Sequence, residues 1–271
     1  MTERTNTPVL EHVVVVLNDR IAPGVGLIAL HAPRCASTVA PGQFVHLRVA
    51  TGADIILRRP FSVHRVRGER IEILYQILGA GTLRLAEKPV GDASMDLIGP
   101  LGRGWRVADG IAHALFVTGG LGVAPLGMLA EQLAARGVAV SVAMGAPSAE
   151  RLVARTLLEE VARRVEIATD DGSVGERGFV TGPAARLLAD ERFDAVYTCG
   201  PEPMQRAVAV LAAEHGVPCQ VSLERLMACG IGACLSCVVS TTDGLKRACV
   251  DGPVFSAEEV VWDASQTPPK H

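Results

Sequence analysis

Through the first hundred residues, apolar and polar positions alternate in short runs. VLEHVVVVLND (9–19), GLIALHAP (26–33), GQFVHLRVA (42–50), RIEILYQIL (70–78) and SMDLIGP (94–100) are β-rich stretches separated by Gly and Pro. Period-two runs with this punctuation predict short strands, and their regular spacing predicts a closed antiparallel barrel. Past residue 110 the period changes. ALFVTGG (114–120), VAVSVAMGA (138–146), VEIATDDG (165–172) and DAVYTCGP (194–201) read as strands. APLGMLAEQLAARG (124–137), SAERLVARTLLEEVARR (148–164), GFVTGPAARLLAD (178–190) and MQRAVAVLAAEHG (204–216) carry helical spacing between or after them. Strand–helix alternation predicts a doubly wound parallel sheet. The expected fold class is therefore β plus α/β in three parts. These are a barrel over 1–108, a nucleotide-type α/β domain over 109–218 and a small C-terminal domain over 219–271.

Ile111–Ala130 contains no Asp, Glu, Lys or Arg and is long enough to cross a bilayer. His113, Gly119, Gly120, Gly122, Pro125 and Gly127 argue instead for a buried strand, a glycine turn and a helix start. No membrane association is expected. The 271 residues are 49% hydrophobic and 20% charged, enough for sizeable cores, and the net charge of −3 offers no basic patch for nucleic acid. MTERTNTPVLEH lacks the apolar core of a leader, and the odd number of cysteines outside the motif below disfavours a disulfide framework. A reducing cytoplasm is the expected location.

The most specific chemistry lies between Cys229 and Cys249. Cys229, Cys234 and Cys237 follow C-x4-C-x2-C, and Cys249 comes eleven residues later. This is the plant-type ferredoxin spacing for a [2Fe–2S] cluster. Three thiolates come from one tight loop, in which Gly230, Gly232 and Ala233 let the backbone turn its N–H groups toward sulfur. A four-cysteine zinc site is the competing reading, although zinc modules pair their ligands as C-x2-C on both sides. The remaining cysteines are Cys35, Cys199 and Cys219.

Weaker motifs lie upstream. Arg58-Arg59-Pro60-Phe61-Ser62 on a strand means little alone. Gly79-Ala80-Gly81-Thr82, after Leu74-Tyr75-Gln76, opens a short helix whose N–H groups face an anion such as a pyrophosphate. Gly119-Gly120-Leu121-Gly122-Val123-Ala124-Pro125 is like a dinucleotide turn, with Pro125 at the third glycine's position. No acidic residue ends the next strand at Met144-Gly145, so NAD and NADP stay open. Ser148 and Arg151 read as a helix start, with a phosphate contact as the alternative. Cys199-Gly200-Pro201 ends another strand at the carboxyl edge of the sheet, and Cys199 alone reads as a small buried residue.

In this order the motifs resemble the ferredoxin–NADP reductase superfamily. SLERLMACGIGACLSC, KRACVDGPVF and TDDGSVGERGFVTG narrow the resemblance to electron-transfer subunits of two-subunit, NAD-linked dihydroorotate dehydrogenases. Phe61 replaces the usual Tyr of the flavin motif. Further departures are the Gly145-Ala146-Pro147 turn, which bears on cofactor choice, and the eleven-residue gap before Cys249. The resemblance implies FAD held by Arg59, Pro60, Phe61, Ser62, Leu74, Tyr75, Gln76, Gly81 and Thr82. It implies NAD at Gly119, Gly120, Gly122, Gly200 and Pro201, with Cys199 near the nicotinamide. It implies an FMN-containing catalytic subunit as partner, in a heterotetramer of two plus two chains. Electrons would pass from that FMN through the cluster and FAD to NAD+, in pyrimidine biosynthesis. The flavin must stand between one-electron and hydride carriers because it alone does both. Alternatives are a flavin/iron–sulfur subunit of a ferredoxin:NAD(P) oxidoreductase or sulfhydrogenase-type complex, and a non-redox zinc protein.

Overall fold

The computed structural model describes residues 7–50 and 55–262. The outer ends of the first and third expected domains, and the first half of the segment inspected for a leader, lie outside them.

The N-terminal half carries β1 (Val9–Ala22), β2 (Val25–His31), α1 (Pro33–Ala36), β3 (Phe44–Arg48), β4 (Arg59–Ser62), β5 (Arg65–Arg67), β6 (Arg70–Gln76), α2 (Ala80–Ala86) and β7 (Met95–Leu101). The strands are ordered β4-β3-β7-β1-β2-β6-β5, all antiparallel. Only Val63 and His64 separate β4 from β5. Val63 N–H donates to the Gln43 carbonyl at 3.1 Å and His64 N–H to the Glu72 carbonyl at 2.8 Å. The two edges are thus one bent strand, and the sheet closes as a barrel. Inward residues including Val13, Val15, Ile28, Leu30, Val45 and Leu47 fill it, as period-two alternation requires.

The second sheet contains β8 (His113–Gly119), β9 (Ala139–Ala146), β10 (Arg164–Thr169), β11 (Glu176–Arg177), β12 (Ala195–Cys199) and β13 (Cys219–Ser222). Its helices are α3 (Gly127–Ala135), α4 (Arg155–Val161), α5 (Thr181–Asp190) and α6 (Glu202–Glu214). The order is β11-β10-β9-β8-β12-β13, all parallel. The chain reverses its winding direction between β8 and β12, which puts a ligand crevice at their carboxyl ends. Leu115 and Val117 face the layer of α5 and α6, whereas Ala114 and Phe116 face α3 and α4.

Two elements differ from the sequence expectation. The helix expected over 148–164 is broken. Ala149–Arg151 makes a single 3₁₀ turn, and Ala154 takes φ 55° before α4 begins. Buried Val153 and partly buried Leu152 pack on the sheet core at the break, so tertiary packing overrides helical propensity. The expected boundary at 219 falls inside the parallel sheet. β13 pairs with β12, and β16 (Val254–Ser256) returns antiparallel to β13. Residues 223–253, including the hairpin of β14 (Val238–Thr241) and β15 (Gly244–Arg247), form an insertion between two strands of one sheet. Buried Cys237, Val239, Cys249 and Phe255 share a core with α5, α6 and the barrel residues Phe44 and Leu101. Val25, Leu74 and Trp105 join the opposite core.

Candidate functional site

The cysteine insertion is fastened to the sheet at both ends, so its loop is fixed in space. Gly230 and Gly232 adopt φ 68° and 89°, the left-handed region a tight loop needs. Leu235 also has φ 60°, a conformation unusual for a residue with a side chain. Ala233 and Cys234 donate main-chain N–H groups to Cys229 Sγ at 3.3 and 3.4 Å, the pattern expected around a thiolate. Arg247 Nη1 donates to the Gly232 carbonyl at 3.2 Å and pins the loop to β15. Cys234 is exposed, Cys229 partly buried, and Cys237 and Cys249 buried. The Ser236 hydroxyl and N–H, with help from Cys229, lower the Cys234 pKa to about 6. Burial, then the neighbouring Cys237 and Cys229, raise Cys249 to about 12. Cys229 thus lies near both Cys234 and Cys249, and bound iron would deprotonate its thiol ligands outright. Among the described residues no three His, Cys, Asp or Glu side chains converge on one ion. A [2Fe–2S] centre takes two cysteines on each iron, a number that these four thiols supply.

The RPFS strand lies on the barrel beside this insertion. Its two arginines have different surroundings. Arg58 is tied to buried Asp96, Nη2 to Oδ1 at 2.5 Å, and Arg48 binds the same carboxylate. Arg59 has no acidic partner among the described residues and donates to the Leu57 carbonyl at 2.5 Å. Its guanidinium lies over Gly81, where an added Cβ would come within 2.9 Å of Nε. The expected pyrophosphate residues, Arg59 and Gly81, are therefore adjacent. Thr82 Oγ1 accepts the N–H groups of Leu78 and Gly79 at 2.9 and 3.3 Å, so it shapes the helix entrance. Helix geometry leaves the N–H groups of Ala80, Gly81 and Thr82 free for an anion. Phe61 packs edge-on against Tyr75, with centroids 6.3 Å apart. Pro60 and Ser62 lie opposite His46 and Phe44 in the ladder.

Strand alternation divides Leu74-Tyr75-Gln76. Tyr75 turns into the barrel, where its hydroxyl donates to Asn18 Oδ1 at 2.9 Å and its ring covers Gly26. Its side chain therefore does not line a flavin ledge, and only its backbone is placed to. Leu74 and Gln76 point the other way, and Gln76 reaches the crevice.

That crevice is a cleft of about 600 Å³ at the carboxyl ends of β8, β9, β10 and β12, with Val25 and Gln76 of the barrel on its wall. Gly119, Gly120, Gly122, Gly200 and Pro201 all line it. The two turns touch through backbone, since a Cβ on Gly122 would lie 2.0 Å from the Cys199 carbonyl oxygen. Cys199 itself is buried. Burial raises its thiol pKa, reinforced by Glu224, so it is a neutral thiol beneath the turn. Four lining residues were not singled out by the motifs or were read otherwise. Arg151, expected as a helix start, reaches the cleft, as do Asp170, exposed Phe179 and Glu224. Surrounding protein raises the Glu224 carboxyl pKa. Glu224 follows β13 directly and would have been legible as a crevice residue had 219–222 been read as a strand of the sheet.

His46, also missed, stands between the flavin strand and the cysteine loop. It is 0% exposed, and a Cβ on Gly230 would come 2.5 Å from its Nδ1. Burial lowers its pKa, which makes it a neutral imidazole. The backbones of Cys229 and Arg58 flank the ring as its polar neighbours, although among the described residues neither nitrogen makes a close, well-aligned hydrogen bond.

A barrel ledge opening toward a switch-point crevice is the construction of the ferredoxin–NADP reductase class. Solved structures share it. One, described as an NADH-dependent reduced ferredoxin–NADP oxidoreductase structure giving insight into flavin-based electron bifurcation, matches with TM-score 0.85 and 31% identity over 93% of this chain and 91% of that one. A ferredoxin reductase in carbazole 1,9a-dioxygenase matches at 0.66 and 19% over 79% of this chain and 68% of that one, a likeness of fold alone. The family model for the iron–sulfur cluster binding domain of dihydroorotate dehydrogenase B matches residues 224–261. Dihydroorotate dehydrogenase B (NAD(+)) electron transfer subunits align over most of their length. The one from Desulforamulus reducens is 37% identical over 90% of this chain and 95% of its own. That from Geobacillus kaustophilus is 43% identical over 82% and 86%. The chain belongs to this family of electron transfer subunits, oxidoreductase components with an iron–sulfur domain. Among the described residues no helix is long and apolar enough to cross a membrane.

Proposed function

We propose that the chain carries reducing equivalents between an FMN-containing dihydroorotate dehydrogenase subunit and NAD+, in an assembly of two plus two chains. The observation that carries this reading is the placement of the four-thiol loop. It sits against β3, the barrel strand paired to RPFS, and is inserted in the sheet that forms the cleft. When bound, the [2Fe–2S] cluster and FAD supply one-electron transfer and its conversion to hydride transfer.

The chain's residues bind and orient. Cys229, Cys234, Cys237 and Cys249 hold the iron. Arg59 and the first turn of α2 neutralise the FAD pyrophosphate, while Asp96 keeps Arg58 out of that role. Phe61 packs on the flavin in place of the usual Tyr, Pro60 and Ser62 border its reactive edge, and Leu74 and Gln76 support it from the neighbouring strand. The turn Gly119–Gly122 brings backbone N–H groups to the nucleotide phosphates, and Gly200-Pro201 leaves room for the nicotinamide above the neutral Cys199 thiol. Asp170 accepts ribose hydroxyls and disfavours a 2′-phosphate, which supports NAD, although Arg151 shares the cleft. Leu226, Ile231 and Leu235, 63%, 48% and 60% exposed around the cysteine loop, form an apolar collar suited to the catalytic subunit. An odd number of cysteines outside the cluster motif suits a reducing, cytoplasmic setting. The domain division that suits these roles is barrel, sheet and inserted loop.

The test is co-purification with the catalytic subunit and assay of dihydroorotate-dependent NAD+ reduction. A stable complex that turns over is expected. A chain that contains iron and FAD yet passes no electrons from that subunit would move the reading to a ferredoxin-type partner.

A further inference from the structure

We propose that His46 is a positioning residue between the flavin and the cluster, donating a hydrogen bond from its ring into the cysteine loop at Cys229. This rests on the cluster reading above. β3 points Val45 and Leu47 into the barrel and therefore turns Phe44 and His46 outward. Phe44 enters the core shared with Cys237 and Cys249. His46, two residues along the same face, meets the loop at Gly230, whose lack of a side chain leaves room for the ring. On its other side His46 is the ladder partner of Pro60, in the middle of RPFS. One imidazole thus touches the residue after the first cysteine ligand and the strand that presents Arg59, Phe61 and Ser62.

The ring's polarity is the feature that carries the assignment. A leucine would fill the same space without burying two polar nitrogens, and buried polar groups in native proteins have partners. A neutral imidazole carries one N–H, and Nδ1 is on the side of the ring that faces Gly230. The backbone carbonyl of Cys229 lies beside the ring and is the acceptor for this N–H. That hydrogen bond would hold the positive end of the N–H dipole beside the ligand residue, which would favour the reduced, more negative centre and raise its potential. It also ties the loop to the flavin strand, so that the separation of the two redox groups is set by one buried side chain.

The holoprotein, purified with iron and FAD, tests this. In wild-type protein labelled with 15N-histidine, pulsed EPR of the reduced cluster should show a weak coupling to a histidine nitrogen, and His46→Leu should abolish it. His46→Leu should also lower the extent of cluster reduction at equilibrium with reduced flavin about tenfold, equivalent to 59 mV for one electron. His46→Gln, which keeps an N–H donor, should restore most of the loss. If His46→Leu fails to load iron, the labelled wild-type spectrum still decides. No histidine coupling in iron-replete wild type, or wild-type potentials in the Leu variant, overturns the role of His46. Equal losses in the Leu and Gln variants overturn the hydrogen bond. Protein that contains no iron at all would instead overturn the cluster reading.

Discussion

Gly122→Ala tests whether the two turns of the crevice must touch. The glycine is required by space. Its added Cβ would lie 2.0 Å from the Cys199 carbonyl oxygen, 2.4 Å from the carbonyl carbon and 2.7 Å from the Gly200 nitrogen. Real Cβ atoms essentially never come within 3.0 Å, so the two turns must part by about 1 Å, with backbone on both sides and no flexible side chain to yield. Overpacking of this kind costs about 1–3 kcal/mol. The displaced turn is the one proposed to hold the nucleotide phosphates, and a 1 Å misplacement of a reacting group can cost about 100-fold in rate. The expected outcome is a 10- to 100-fold loss in kcat/KM for NADH oxidation with an artificial acceptor, at unchanged FAD and iron content. Gly137→Ala is the control. That glycine lies outside the crevice, with φ 73° and open space around it, so the variant incurs roughly 1–2 kcal/mol of backbone strain without a collision. It should melt lower yet keep most of its NADH activity. If Gly122→Ala oxidises NADH like wild type, the contact between the turns does not organise the nucleotide site.

Three other outcomes follow from the same geometry. Arg59→Ala should weaken FAD retention by roughly 1.5–3 kcal/mol, the value of a charge-assisted hydrogen bond, whereas Arg58→Ala, which leaves buried Asp96 with one arginine, should lower the melting temperature more; equal FAD retention by Arg59→Ala and wild type removes Arg59 from the site. Cys234→Ala, at an exposed position, should lose iron while keeping FAD and NADH oxidation, and Cys249→Ala, inside the core shared with α5 and α6, should also destabilise the fold; parallel iron, flavin and melting measurements separate the two. Acid should destabilise the protein below pH 6.5: burial lowers the pKa of His64 from its ordinary 6.5, so the unfolded chain takes up a proton that the native chain refuses, and stability falls with pH until the native pKa is reached. Glu72 and Glu224, whose pKa values burial raises, oppose this trend, and His64→Gln should flatten the urea midpoint between pH 7 and 5.

Legibility in the sequence followed the range of the interaction responsible. The barrel strands, β8 with its glycine turn and α3 were readable because alternation, helical period and Gly/Pro punctuation are local. The cysteine spacing was readable because three of the four thiols sit on one loop. Tyr75 was misplaced because a motif names three consecutive residues, whereas a strand turns the middle one away from its neighbours. The 148–164 helix was over-extended because Leu152 and Val153 pack on a core built from distant segments. His46 gave no signal at all, since GQFVHLRVA reads as a strand whether its outward histidine meets water or another domain.

The boundary at residue 219 shows what such errors cost a functional argument. As a separate C-terminal domain, the cysteine segment would be a mobile relay, and its distance from the flavin would depend on a linker. As an insertion between β13 and β16, hydrogen-bonded at both ends into the sheet that forms the nucleotide crevice, its distance from the flavin is fixed. The same strand that anchors the loop delivers Glu224 to the crevice, and the face of β3 that receives the loop is paired to RPFS. The nucleotide, flavin and iron positions are therefore set by three neighbouring pieces of one hydrogen-bonded framework. Substitutions in the framework, such as a proline in β13, should disturb all three activities together, whereas substitutions at the exposed Cys234 should disturb only one.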